Sequence, residues 1–184
     1  MKATGIVRRI DELGRVVIPK EIRRTLRIRE GDPLEIYTDH DGEVVLKKYS
    51  PIGEISSIAK DYTDSLYRSL GHVALISDRD MIVSCSGTTR KDLADKAIGA
   101  EIERLIAQRQ TVRLNLADGA RMLAVTPEDD ASVYTAQIVA PILSDGDVIG
   151  SLILLSKEAG MRMTEIDQKV AETTAGIVGR QMEQ

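Results

Sequence analysis

An α+β protein of two unequal domains is what the sequence predicts, on three observations. Within the first fifty residues, β-branched runs and one short amphipathic helix follow each other as β-β-α-β-β. In the rest of the chain, helical stripes precede and follow a series of strand runs, the order of an α/β/α domain around a central antiparallel sheet. Charge divides at the same place: residues 1–29 carry nine Lys and Arg against three Asp and Glu, a net of +6, whereas residues 51–184 carry 14 against 20, a net of −6. Domains of 1–50 and 51–184 fit ordinary domain sizes.

The first hairpin is expected over residues 4–10 and 15–18, which are separated by Asp11-Glu-Leu-Gly14, a turn with Gly14 available for positive φ. Pro19 suits a first helical turn, and the helix is expected over 20–28 with Ile22 and Leu26 on its inner side. At about 3.6 residues per turn, Lys20, Arg23, Arg24 and Arg27 project from the opposite side. A second hairpin, 34–38 and 43–47, turns through Asp39-His-Asp-Gly42.

Arg8, Arg9, Arg15, Lys20, Arg23, Arg24 and Arg27 therefore crowd onto particular faces of a small domain. Such a patch suits duplex DNA, because each phosphate neutralised by Lys or Arg releases condensed counterions. A solvated basic face is the plainer alternative. Fifty residues so charged bury little core alone. The single Cys excludes an internal disulfide and, with two His, leaves too few ligands for a structural zinc site. An obligate dimer in which two chains pool their hairpins is expected.

The run Asp11-Glu-Leu-Gly-Arg-Val-Val-Ile-Pro-Lys20-Glu-Ile-Arg-Arg24, flanked by Gly5-Ile-Val-Arg-Arg9 and Glu30-Gly-Asp-Pro-Leu-Glu-Ile36, resembles the AbrB-type swapped-hairpin domain of bacterial transcription regulators. Over its full length the chain is similar to the stage V sporulation protein T family within that group. The resemblance implies a swapped-hairpin β-barrel formed by a dimer, double-stranded promoter DNA as partner, and four dominant DNA-binding arginines. These fall on Arg8, Arg15, Arg23 and Arg24, none of them substituted. It also implies activation and repression of sporulation genes in the forespore.

In the second half, Ser50-Pro51 starts a helix whose stripe is Ile52, Ile55, Ile58, Ala59, Tyr62, Leu66 and Leu70. Strands are expected over 72–77 and 81–86, turning at Asp78-Arg-Asp80, then one or two helices over 90–109. Further strands are expected over 111–116, 121–126, 133–143 and 147–157, the last two joined by Ser-Asp-Gly, and a capping-box helix from Thr164. The ending from Ala140 to Ser156 resembles the last strand pair of GAF domains, and the sporulation-protein family carries such a domain, so a GAF-like α/β/α domain is expected.

The chemistry of this half reads as non-enzymatic. His72 and Cys85 lack a third partner, so an ordinary histidine and a buried thiol are the default readings. Gly71, Gly87 and Gly99 follow no phosphate-loop spacing, and Glu128-Asp-Asp130 reads as a solvated turn. With no Phe or Trp to stack on a planar group, no cofactor is expected, and the ligand pocket and any small-molecule effector stay open. The closing helix carries two apolar stripes, Ile166, Val170, Thr173 and Ile177 beside Ala171, Ala175, Val178 and Met182, more than one face needs. Ile166, Val170, Ile177, Val178 and Met182 are therefore expected at an oligomer contact that makes a tetramer, burial within the same domain being the alternative. No stretch is apolar enough to span a bilayer and no secretory segment opens the chain, so a soluble cytoplasmic protein without membrane contact is expected. Two other functions remain open: a small-molecule sensor whose basic domain mainly oligomerises, and an antitoxin-like autoregulator.

Overall fold

The computed structural model describes residues 5–40, 42–87 and 93–183. Thr4 at the head of the first expected strand, Asp41 in the second hairpin turn, and 88–92, where the helical stretch from Arg90 was expected to begin, lie outside the described residues. The chain divides into two units, Met1–Tyr49 and Ser50–Gln184.

In the first unit, α1 (Lys20–Thr25) precedes the hairpin of β1 (Leu34–Thr38) and β2 (Val44–Lys48), with Ile36 opposite Leu46. The turn of the other expected hairpin is present: Asp11 N donates to Arg15 O and Gly14 N to Asp11 O, both at 3.0 Å, with Gly14 at φ 76°. This is a three-residue hairpin loop closed by a left-handed glycine. The strands on either side, however, form no ladder among the described residues of the single chain. Exposure supplies the reason. Val7 is 86% exposed, and Ile10, Leu13, Val17, Ile36 and Val44 are likewise mostly uncovered. An isolated ribbon with no apolar face to pack on is marginal in water.

The helix is shorter than its sequence pattern. It ends at Thr25, and Ile28 N donates to Arg23 O at 2.8 Å while Arg27 N donates to Arg24 O at 3.4 Å. That is a Schellman ending, with Arg27 at φ 53° in the position usually given to glycine. Arg27 thus leaves the helical face on which its spacing had placed it, and Leu26, expected on the inner side, is exposed.

The second unit comprises α2 (Pro51–Glu54), α3 (Ser56–Leu70), β3 (Val73–Asp78), β4 (Ile82–Ser86), α4 (Ala100–Ala107), β5 (Val112–Asn115), β6 (Ala136–Ser144), β7 (Asp147–Ser156) and α5 (Glu165–Arg180). The strands make one sheet in the order β4-β3-β7-β6-β5, every neighbour antiparallel. Strand alternation sends Leu152 and Leu154 to the face covered by α2, α3 and α5, and Ile153 and Leu155 to the face covered by α4. Burial on both sides is why β7 carries the unbroken apolar run Leu152-Ile-Leu-Leu155.

Local signals account for the helix starts. Ser50 Oγ accepts from Gly53 N at 3.1 Å to cap α2, although the helix expected over 51–70 breaks at Ile55. At α5, Thr164 Oγ1 accepts from Asp167 N while Asp167 Oδ2 accepts from Thr164 N at 2.6 Å, the capping box its sequence promised.

Residues 121–126, expected as a strand, form none. β5 already pairs with β6, and the buried Gln137 of β6 substitutes for a ladder. Its Oε1 accepts from Leu123 N at 2.8 Å and its Nε2 donates to Leu123 O at 2.7 Å. Nor is 128–130 simply a solvated turn. Asp129 Oδ2 accepts from Val125 N at 3.0 Å and from the Tyr134 hydroxyl at 2.8 Å. Burial, then that bond and the Asp129 charge, push the Tyr134 phenol well above its usual range.

The two stripes of α5 have different fates. Ala171, Ala175 and Val178 enter the core beneath the sheet, whereas Ile166 is 73% and Ile177 45% exposed, Thr173 is exposed, and Val170 and Met182 are half-buried. Val178, expected at an oligomer contact, is therefore a core residue of its own domain, because α5 sits so close to β6 that this stripe is covered. A buried, unpaired carboxylate costs several kcal/mol. Val178→Glu is accordingly expected to abolish cooperative thermal unfolding of the second unit, and Ile177→Glu, on the exposed stripe, to leave that unit cooperatively folded, as circular dichroism would read.

Candidate nucleic-acid interface

Short-range bonds build the local structures that carry the basic residues of the first unit. At the hairpin turn, Asp11 Oδ1 accepts from Leu13 N at 3.0 Å and Arg15 N at 2.8 Å, while Oδ2 accepts from Arg15 Nε at 2.9 Å. One carboxylate therefore grips both the backbone and the guanidinium of Arg15, whose side chain is 70% exposed. Those bonds, the Arg15 backbone N–H foremost and its side chain next, hold the Asp11 carboxyl below the usual carboxylate range. Arg8 and Arg9 lie exposed on the arm that leads into this turn.

On α1, Lys20, Arg23 and Arg24 are exposed, and Arg27 is half-buried beyond the helix end. The loop after the helix is fastened to β2. Asp32 Oδ2 accepts from Arg29 N at 2.8 Å and pairs with Lys48 Nζ at 2.9 Å, and Lys48 Nζ also donates to Arg27 O at 3.0 Å. A nearly enclosed carboxylate thus fixes how the C-terminal end of α1 leaves the hairpin.

Six of the seven basic residues expected at a DNA surface are exposed, and the seventh, Arg27, is displaced from the common helical face. The structure adds two acidic residues that hold basic ones in place, Asp11 and Asp32. Asp11 carried a usable signal, an aspartate heading a turn that ends in glycine. Asp32 carried a weaker one, the Gly31-Asp-Pro turn, since nothing local points to Lys48.

Elsewhere, His72 and Cys85 lie apart. His72 is buried with Nε2 3.9 Å from Asp167 Oδ1, while Cys85 packs on the opposite face of the sheet, among the residues under α4. Among the described residues, no group of three His, Cys, Asp or Glu is arranged to hold a metal ion, and no helix is long and apolar enough to cross a membrane. Along the exposed face of α5, Ile166, Lys169, Val170 and Thr173 line a shallow open depression.

Comparison with known proteins divides the chain at the same place. The family described as Stage V sporulation protein T C-terminal, transcription factor, matches residues 54–183, and the MazE bacterial antitoxin family matches residues 7–54. Stage V sporulation protein T of Bacillus subtilis is 55% identical over 184 residues, covering the whole of both chains. The transition state regulatory protein AbrB of the same organism is 69% identical over 51 residues, 28% of this chain and 52% of AbrB. Among solved structures, the GAF domain of an Acinetobacter phosphoenolpyruvate-protein phosphotransferase superposes with a TM-score of 0.57 at 14% identity, covering 74% of this chain and 84% of that one. At that identity the likeness establishes the GAF fold alone.

Proposed function

From a chain that belongs to the stage V sporulation protein T family of transcription factors, we propose a homo-oligomeric regulator that binds promoter DNA, activating some sporulation genes and repressing others in the forespore cytoplasm. Residues 1–50 contact the duplex, and 51–184 form the regulatory and oligomerising GAF-like domain. Two chains pool their first units into a swapped-hairpin barrel, which would cover the apolar side chains that a single unit leaves exposed. A tetramer forms through the exposed stripe of α5, with Ile166, Val170 and Ile177 at its centre and Met182 at its end. An effector of the second unit, if one acts, is a small molecule of unassigned class.

The observation that carries this reading is the solvent-exposed set Arg8, Arg15, Arg23 and Arg24 on a segment 69% identical to AbrB. The test is a salt titration of binding to sporulation-gene promoters and to arbitrary duplex. A regulator shows affinity falling steeply with salt on both, with the promoters preferred. No duplex binding at moderate salt would favour the small-molecule sensor. The antitoxin-like reading is favoured only by the match over residues 7–54, and the transcription-factor match over 54–183 weighs against it.

A further inference from the structure

Asp11 is an acid between Arg9 and Arg15 in the chain, bonded to the latter, and its charge runs against simple electrostatic attraction to phosphate. A residue selected only to strengthen that attraction would be neutral or basic. A residue needed only to close the turn would have to satisfy Leu13 N and Arg15 N, which Oδ1 does by itself. The second oxygen is spent on Arg15 Nε at 2.9 Å. That bond engages one of the five guanidinium donors and leaves the two terminal amino groups to face a ligand from a side chain that is otherwise mostly exposed.

We propose that Asp11 is a positioning residue for DNA recognition, holding the Arg15 guanidinium in one orientation at the hairpin tip while lowering the surface's indiscriminate attraction to phosphate. The proposal rests on the reading of Arg15 as a DNA contact. A free arginine on an exposed turn samples many rotamers and reaches any nearby phosphate. A gripped one presents a planar fork in a fixed direction, the condition for discriminating one base edge or groove shape from another. The negative charge acts in the same sense. Non-specific binding is almost wholly electrostatic, so one carboxylate per subunit reduces it while the oriented contact at a preferred sequence is kept.

Asp11→Asn separates the roles. The amide oxygen can still accept the two backbone N–H groups, but its NH2 replaces the acceptor that holds Arg15 Nε. Full-length wild type, Asp11→Asn, Arg15→Ala and the double variant are each equilibrated with a random-sequence duplex library, and the bound fraction is sequenced. Asp11→Asn is expected to bind at least as much total DNA as wild type, with an unchanged unfolding curve. Its enrichment of the wild-type motif should fall about tenfold, the scale of one positioned contact. In the double variant, Asp11→Asn should cost no further enrichment beyond Arg15→Ala. If Asp11→Asn enriches the motif like wild type while Arg15→Ala does not, Asp11 only shapes the turn and the proposal falls. If Arg15→Ala itself binds and enriches like wild type, the reading of Arg15 fails instead. Should Asp11→Asn unfold, Asp11→Ser, which keeps a hydroxyl acceptor for the turn, is read in the same way.

Discussion

Replacing Arg8, Arg15, Arg23 or Arg24 singly with alanine is expected to reduce promoter affinity by at least tenfold while leaving the far-ultraviolet dichroism native. All four side chains are exposed, so removing any of them opens no cavity. Every loss is felt twice in a dimer. Each positioned contact is worth about 1–3 kcal/mol, and each phosphate contact contributes about 0.9 to the salt slope. The measurement is therefore a pair, affinity and its dependence on salt. A variant that has lost a phosphate contact falls on all sequences with a shallower slope, whereas one that has lost a base contact falls mainly on promoters. Native affinity in all four variants would move the DNA surface elsewhere.

A large loss of stability is also expected from single methyl groups at two glycines of the second unit. A Cβ on Gly179 of α5 would stand 2.0 Å from Leu143 O, and one on Gly150 of β7 would stand 2.0 Å from Ser77 O and 2.5 Å from Ile52 Cδ1. The nearest obstructing atom in each case is a backbone carbonyl oxygen within the sheet, which cannot turn aside as a flexible side chain would. Overpacking of a core ordinarily costs about 1–3 kcal/mol, and a backbone clash at two-thirds of contact distance belongs at or above the top of that range. Gly179→Ala and Gly150→Ala are thus expected to lower the denaturant midpoint steeply. Gly176→Ala, one turn away on the same helix with no atom within 4 Å of its Cβ, is expected to gain about 1 kcal/mol from helix propensity. Equal effects at Gly176 and Gly179 would refute the close approach of α5 to the sheet.

Much of this was legible in the residues before any fold was seen. Short-range chemistry is written locally: the Ser50-Pro51 start, the Thr164–Asp167 capping box, the Gly14 turn and the Ser-Asp-Gly connection all form where their spacing said. The reason is that each of these is decided by bonds reaching three or four residues. The charge division was legible for a similar reason, since net charge is a sum and does not depend on geometry.

What failed were inferences about which partner a face meets. Residues 121–126 have strand composition, but the backbone of Leu123 bonds to the side chain of Gln137 rather than to a neighbouring strand. Arg27 has the spacing of a helix face, yet the helix stopped two residues earlier in a Schellman turn. Periodicity told that α5 carries two apolar stripes; only packing told that Val178 belongs to the core and Ile166 to the surface. Asp11 was seen as a turn residue, but that its second oxygen would close on Arg15 depended on the hairpin's exact geometry. The sequence by itself determined most of the elements through local propensity, the division of charge through composition, and the family through the resemblance of its residue runs to a known domain. The tertiary structure alone decided which face is covered, which cation is gripped and where a methyl group no longer fits, because these depend on groups that meet in space from distant points of the chain.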